Sequence, residues 1–323
     1  PTGAGKTTTL RCVVGLEKLD KGTVFVDGQD FTELPPGQRD MAFVSQNYAL
    51  YPHMKVYKNL QFPLNKTDMS AKEKKLRIES IATMLHITNL LDRYPNKLSG
   101  GEMQRVVIGR AMVRKPCLFL MDEPLSNLDA KLREELRFEL KRIQMDAGAT
   151  TLYVTHDQIE AMSMSDRVVV LHEGRVQQIG TPPEIYSNPI NTWVSSIVGS
   201  ISMNLIPVAV ADGTYKIRAS GKSIGVPEIY KKHLSAGTYQ LGIRAEDVSI
   251  VADGAKDSIP AEVNIFEDFG YEKLVEINLA SISIRSRVSS RIAVRIGDKI
   301  SVSFNPKKIR FFDSEGNLVH WKD

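Results

Sequence analysis

The sequence has little cysteine, no long apolar run and no dense block of charge of one sign. Only Cys12 and Cys117 occur among 323 residues. They form no pair or cluster with metal-ligand spacing, which argues against a zinc site. Cys12 falls in a helical pattern and Cys117 opens an apolar strand run, so both read as small buried hydrophobes in a reducing compartment. No stretch of about 18 apolar residues is present, so no helix is expected to span a membrane, and no secretory signal is visible. The net charge of +4 is too mild to imply nucleic acid. The densest basic run, Lys72 to Arg77, reads as the solvated face of a helix rather than a phosphate-tracking groove. A natural start is lacking too: Pro1 is not a methionine and falls inside a motif, so the sequence is expected to be truncated at its N-terminus.

What is present is ordinary globular material, 42% hydrophobic and 25% charged, long enough for two domains. Up to about Val198, short apolar strands alternate with helices. The expected strands are Thr23–Val26, Met41–Val44, Cys117–Met121, Thr151–Val154 and Val168–Leu171, the last forming a hairpin with Arg175–Ile179 through a turn at His172-Glu173-Gly174. The run Cys117–Met121 is apolar on both faces, as in a central strand of a covered parallel sheet. Ser70 and Glu73 form a capping box opening a helix over Ala71–Leu85. Leu132, Leu136, Leu140 and Ile143 share one face of a helix over Ala130–Met145. Strands alternating with helices predict an α/β domain.

After about Ser200 the pattern changes. Tyr215–Ala219, Tyr239–Ile243, Ala261–Phe266, Lys273–Ile277, Ser281–Val288 and Lys299–Phe304 are strand-like, punctuated by turns such as Asp212-Gly213 and Ile296-Gly297-Asp298. This predicts a separate, barrel-like all-β domain. The domain limits are set at residues 1–200 and 201–323.

Four stretches carry chemistry. Pro1-Thr2-Gly3-Ala4-Gly5-Lys6-Thr7-Thr8 is a phosphate loop lacking only its first glycine. Gly3 and Gly5 let backbone approach phosphate oxygens, the following helix presents unpaired N–H groups and a positive dipole end, Lys6 adds a point charge, and Thr7 offers a hydroxyl to Mg²⁺. Taken alone, the same residues also fit a Gly-rich turn capping a helix. The strand Cys117–Met121 delivers Asp122 and Glu123 to its C-terminal end, where doubly wound sheets bind ligands. Asp122 would orient Mg²⁺ and Glu123 would polarise an attacking water. Alone, the pair equally fits an acidic turn. His156, after the strand Thr151–Val154, could hydrogen-bond a γ-phosphate and hold the geometry of Glu123 and water, although a lone histidine there is more often structural. Ser99-Gly100-Gly101, before the helical run Val106–Arg114, forms a second Gly-rich helix start. Two phosphate-type loops with one pair of carboxylates suggest a nucleotide shared between two copies.

Leu98-Ser99-Gly100-Gly101-Glu102-Met103-Gln104-Arg105 resembles the signature of ABC ATPases. The order phosphate loop, Gln46, signature, Asp122-Glu123, Ser126-Asn127-Leu128-Asp129, His156 is similar to that family's sequence of loops. The resemblance implies an α/β P-loop NTPase fold, a RecA-like core with a helical subdomain at about residues 47–97, followed by an OB-like regulatory domain. It implies ATP and Mg²⁺ as cofactors. The nucleotide would be held by Gly3, Ala4, Gly5, Lys6, Thr7 and Thr8, and the metal by Thr7, Gln46 and Asp122, with Glu123 and His156 catalytic. Ser99, Gly100 and Gly101 would act on nucleotide held by a partner copy, with Asp129 at the dimer seam and Gln46 sensing the transport subunits. Glu102 stands where the family more often has glutamine; an acid at a helix start is electrostatically tolerable, so function is expected to be retained.

Glu123–Arg133, Gly180-Thr181-Pro182-Pro183-Glu184-Ile185-Tyr186, Asn188-Pro189 and Met203-Asn204 are similar to sugar-importer ATPases. Gly242-Ile243-Arg244-Ala245-Glu246-Asp247 resembles the C-terminal barrel of the maltose and glycerol-phosphate transporter ATPases, with Ala245 in place of a usual proline. The resemblance implies a homodimer or paired ATPase subunit at the cytoplasmic face of a bacterial membrane. It would be bound to two transmembrane permease subunits, would meet a solute-binding protein only indirectly, and would have no nucleic-acid partner. Polyamine, iron and sulfate importers have similar ATPases, so the cargo stays open. ABC ATPases of DNA repair or translation carry coiled-coil insertions or two cassettes, which this sequence lacks. Its β domain lacks a basic stripe with interleaved aromatics. The family's first strands precede Pro1, so the chain as it stands is expected to bind ATP weakly and not to fold alone.

Overall fold

Strand β4 (Leu118–Asp122), buried along nearly its whole length, organises the first half of the chain in the computed structural model. The structure describes residues 3–46, 49–148, 150–211, 214–224, 226, 230–231, 234–252, 255 and 258–319. They fall into two units, Pro1–Asp166 with Leu171–Arg175, and Arg167–Val170 with Val176–Asp323. The first contains, in order, α1 (Lys6–Val14), the small antiparallel pair β1 (Phe25–Val26) and β2 (Gln29–Asp30), β3 (Met41–Val44), α2 (Val56–Gln61), α3 (Ala71–Met84), α4 (Gly100–Met112), β4, α5 (Ala130–Ala147), β5 (Thr150–Val154) and α6 (Gln158–Met164). β3, β4 and β5 form a parallel sheet in that order, with Met41 opposite Leu118 and Leu118 opposite Thr150.

Because side chains alternate along a strand, β4 feeds two cores. Leu118 and Leu120 pack with Leu10 and Val14 of α1. Phe119 and Met121 join Val106 and Val107 of α4 and Leu140 and Ile143 of α5. Leu136, Leu140 and Ile143 are buried, as their shared helical face predicts, and Leu132 is partly so. Ser70 and Glu73 make the expected reciprocal capping box on α3. Gly109 of α4 stands where a side chain would meet Leu85, Leu60 and Ile81, so α4 fits closely against the preceding helices.

One buried cation secures the end of α1. Arg39, 4% exposed, donates from Nη1 to the carbonyls of Cys12 (3.1 Å) and Val13 (2.7 Å), from Nε to Leu34 O (2.8 Å) and from Nη2 to Thr32 O (2.8 Å). The last carbonyls of a helix lack intrahelical donors and carry the negative dipole end, so a guanidinium satisfies both needs. The cysteine expectation is corrected: Cys12 is half-buried and Cys117 exposed. Cys117 lies one residue before β4 begins, at the sheet's N-terminal margin, with its thiol against the carbonyls of Arg39 and Asp40.

A hairpin, β6 (Val168–His172) and β7 (Arg175–Gly180), turns at Glu173-Gly174 as its sequence predicts. The second unit continues with α7 (Pro182–Ser187), α8 (Thr192–Ile197), β8 (Asn204–Ala211), β9 (Thr214–Ile217), β10 (Gly237–Ile243), β11 (Val248–Val251), β12 (Ile259–Asp268), β13 (Glu272–Leu279), β14 (Ile282–Ser289), β15 (Lys299–Phe304) and β16 (Arg310–Phe312). Two antiparallel sheets, β16-β10-β8-β9 and β11-β15-β12-β13-β14, enclose a shared core that includes Ile206, Leu241, Val263, Ile277, Val302 and Phe311. The expected turn at Asp212-Gly213 lies outside the described residues. Among the described residues no helix is long and apolar enough to cross a membrane.

β8, like β11 and β16, is a strand not expected from the sequence. Pro207 lies inside it, and β8 pairs on both sides, with β10 and β9, where proline normally argues against a strand. The pairing with β9 starts only at Val208, and Pro207 O accepts from Arg218 N, one residue past the end of β9. Within an antiparallel strand, N and O of one residue point the same way. The missing N–H therefore faces beyond β9 and breaks no ladder bond.

Candidate functional site

The phosphate loop leaves a helix N-terminus open. Gly3 (φ +75°) and Gly5 (φ +90°) take the left-handed conformation that glycine adopts without strain. Gly5 is the N-cap of α1; no side chain caps that end and no acidic residue lies in its first turn. The N-cap thus offers no side-chain acceptor to the start of α1, the arrangement that favours an anion. Ala4 is buried, Lys6 half-buried, and Thr7 and Thr8 are exposed. The tip of the β6–β7 hairpin supports the loop: Gly174 N donates to Ala4 O at 3.2 Å, and a Cβ on Gly5 would stand 3.8 Å from Gly174 Cα.

The two carboxylates lie at the C-terminal end of β4, with different surroundings. Asp122, 7% exposed, accepts from the Thr7 hydroxyl at 2.9 Å, joining β4 to the start of α1. Burial pushes its carboxyl above the usual range; the Thr7 bond opposes this and the Glu123 charge adds to it. Glu123 sits in the left-handed region at φ +47°, an unfavourable conformation for a residue with a side chain. It is held there by its N–H on Val154 O (2.9 Å) and by Ser126, whose N (3.2 Å) and Oγ (2.9 Å) both donate to Glu123 O. His156, just beyond β5, places Nδ1 3.0 Å from Glu123 Oε2.

Gln46 follows β3 and donates from Nε2 to Ser126 Oγ at 3.1 Å, while Asn127 Nδ2 donates to Gln46 O at 3.0 Å. Asp129 caps α5 by accepting from Leu132 N at 3.0 Å. Thr7, Asp122, Glu123, His156, Gln46 and the turn Ser126–Asp129 are thereby joined at the ends of adjacent parallel strands. Ser99, Gly100 and Gly101 are built separately, at the start of α4. Gly100 and Gly101 stand against Leu128 and Leu132, where a Cβ on either would press on those side chains. Among the described residues no three His, Cys, Asp or Glu side chains cluster to hold a metal by themselves. Magnesium normally retains waters and uses one or two carboxylates together with substrate phosphates. One buried carboxylate with an adjacent hydroxyl fits that donor set.

Several contributors go beyond the residues singled out from sequence. Glu102 does more than tolerate its place: its carboxylate accepts from Ser99 N (2.8 Å) and its N–H donates to Ser99 Oγ (3.4 Å), a full capping box. The spacing Ser99-x-x-Glu102 is a readable signal for it. Gly174 and Arg133 enter through contacts distant in sequence, which no local pattern announces.

In the second unit, two of the segments resembling importer ATPases, Gly180–Tyr186 and Gly242–Asp247, meet at Arg244. Its guanidinium is buried, stacks over Tyr186 with Cζ 4.2 Å from the ring centre, and donates to the carbonyls of Ser195 (3.1 Å), Val198 (2.6 Å) and Tyr186 (2.9 Å). The Tyr186 hydroxyl donates to Glu246. Burial, with the Glu246 carboxylate beside it, pushes the Tyr186 phenol up to about 12. A raised folded-state value holds the proton more tightly in the folded chain. The stability it contributes is therefore complete below the ordinary value of 10.0 and is lost as pH rises toward about 12. Alkaline titration followed by thermal unfolding should show this loss, and Tyr186→Phe should flatten the profile over that window.

The family model for the ABC transporter matches residues 1–126, and that for the TOBE domain matches residues 241–312. The sn-glycerol-3-phosphate import ATP-binding protein UgpC of Cupriavidus pinatubonensis is 44% identical over 98% of this chain and 88% of its own length. The oligosaccharides import ATP-binding protein MsmX of Bacillus subtilis is 43% identical with the same coverage, 98% and 88%. The trehalose/maltose import ATP-binding protein MalK of Thermococcus litoralis is 41% identical over 97% and 88%. A solved dimeric ATP-binding cassette, in a post-hydrolysis state with ADP and Pi, aligns with a TM-score of 0.50 and 31% identity, over 56% of this chain and 82% of that one. The uncapped phosphate loop, the carboxylate pair and the two antiparallel sheets of the second unit agree with these matches. The chain belongs to the ATP-binding proteins of ABC transporters, an ATPase family, and carries a TOBE domain after its cassette.

Proposed function

We propose that this chain is the ATP-hydrolysing subunit that powers import of a sugar, oligosaccharide or glycerol phosphate through a bacterial ABC transporter. The observation that carries the reading is the joined set at the ends of β4 and β5. Thr7 is bonded to Asp122, and Glu123 to His156, beside an open helix N-terminus. Gly3 to Thr8 receive the triphosphate through backbone N–H groups, with Lys6 on the outer phosphates. Thr7, Asp122 and Gln46 would hold Mg²⁺, which when bound spreads the charge of the phosphates. Glu123 orients and accepts a proton from the attacking water, and His156 holds the Glu123 carboxylate in place. Ser99, Gly100 and Gly101 of a second copy complete the site from the opposite side, with Asp129 at the seam, so the working unit is a pair.

Two permease subunits hold the chain at the cytoplasmic face of the membrane. The helical segment about residues 47–97 is the part that grips them; closure of the pair moves it and hydrolysis resets it. A solute-binding protein acts only through the permeases. Purification of the chain with its permease partners tests the reading. ATP hydrolysis by that complex in vesicles should rise when the binding protein loaded with a sugar or glycerol phosphate is supplied. Stimulation by a polyamine, iron or sulfate instead would overturn the cargo class, and no co-purifying permease would overturn the transport role.

A further inference from the structure

We propose that Arg133 is a positioning residue that locks the Ser126–Asp129 turn to the His156 loop and so keeps Glu123 and His156 aligned for hydrolysis. The proposal rests on Glu123 and His156 having the roles given above.

Arg133 lies in the first turn of α5, its N–H bonded to Asp129 O at 2.9 Å. Its side chain turns back across the N-terminus of its own helix. Nη2 donates to Leu128 O at 3.0 Å and to Ser126 O at 3.4 Å, and Nη1 lies 3.6 Å from Asp157 Oδ2. Asp157 is itself pinned: it caps α6 by accepting from Ile159 N (2.8 Å) and Glu160 N (3.3 Å), and it directly follows His156. The contacts close a ring. Arg133 holds Ser126 O, Ser126 holds Glu123 O, the Glu123 carboxylate meets His156, and the next residue, Asp157, returns to Arg133.

Two side-chain links in that ring cross between the two loops, the Glu123–His156 contact and the Arg133–Asp157 pair. The guanidinium supplies the crossing that does not use the Glu123 carboxylate itself, and so it can hold the loops in register while that carboxylate meets water. A planar fork reaches two carbonyls and a carboxylate together, which a lysine ammonium on a flexible stem does poorly. The side chain is not placed for pairing alone, since Nε is buried without a hydrogen-bond partner among the described residues. Without Arg133, Ser126 and His156 are each still attached to Glu123, but the side-chain tie between the two loops then runs through the Glu123 carboxylate, the group that must stay aligned. Ground-state nucleotide binding, which uses Gly3 to Thr8, should be untouched, and the alignment of water, Glu123 and phosphate should suffer.

The test compares Arg133→Met, Arg133→Lys and Asp157→Asn in the full chain within its transporter complex, measuring kcat, KM for ATP and thermal unfolding. Arg133→Met should lower kcat roughly 10- to 100-fold while KM for ATP stays within about two- to threefold and the melting transition stays cooperative. Arg133→Lys should restore only part of the loss. Arg133→Met combined with Asp157→Asn should lose less than the product of the two single effects, as expected of members of one network. Parental kcat in Arg133→Met, a change in KM alone, or a kcat loss matched by the unfolded fraction would each overturn the proposal. Glu123→Gln, run alongside, separates the two claims. If it is inactive while Arg133→Met is normal, only the positioning role fails; if it turns over normally, the reading beneath it fails.

Discussion

Glu123→Gln should bind ATP as tightly as the parent and hydrolyse it about 10²–10⁴-fold more slowly, the range a positioned general base supplies. The substitution preserves shape and the backbone bonds that hold residue 123, namely its N–H on Val154 O and its carbonyl under Ser126. It removes only the charge and the capacity to take a proton. The left-handed backbone at Glu123 suits this division of labour, because strain held by surrounding bonds is a means of fixing a reacting side chain. Asp122, one residue away, cannot substitute. It is buried, and its carboxylate is already engaged by the Thr7 hydroxyl. Phosphate release by the complex, together with equilibrium binding of a fluorescent ATP analogue, checks both halves. Weakened binding with normal turnover per bound nucleotide would contradict the assignment.

Arg39→Met should destabilise the first unit by about 3–5 kcal/mol, since each of several hydrogen bonds to a charged donor contributes and each buried acceptor left unpaired carries its own penalty. Four carbonyls lose a bond from Arg39 at once, among them Cys12 and Val13 near the end of α1, of which Cys12 O keeps its bond from Gly15 N at 3.1 Å. Methionine fills much of the volume, so the loss reports hydrogen bonding rather than a cavity. By contrast, removing the exposed Arg114–Asp40 pair should change stability by less than about 1 kcal/mol, because both partners are largely in solvent. Urea unfolding of the two variants should separate them clearly. Because Arg39 secures one end of the helix whose other end is the proposed phosphate site, its loss should also weaken ATP binding.

The sequence was most informative where local chemistry and period agree. The doubly apolar run around Phe119 marked the central strand, Ser70 and Glu73 marked a helix start, and glycine next to Lys6 marked the open one. The candidate site was legible because phosphate loop, carboxylate pair and histidine each follow a strand or precede a helix, so their order along the chain predicts their meeting at one sheet edge. Features made by distant contacts were not legible. Arg39, Arg133 and Arg244 look like surface cations in sequence, yet each reaches backbone carbonyls or side chains belonging to another element. β8 was hidden because Pro207 normally rules out a central strand, and only the early end of β9 removes the conflict. Cys117 was misplaced by one residue of strand boundary, enough to move a thiol from core to surface.

The proposed working unit encloses a nucleotide between two copies, the lysine loop of one facing the Ser99 helix start of the other. Sedimentation of Glu123→Gln with magnesium and ATP tests it most directly. A nucleotide-dependent dimer, abolished by Ser99→Arg without loss of ATP binding, is the predicted result; a monomer fully loaded with ATP would contradict it.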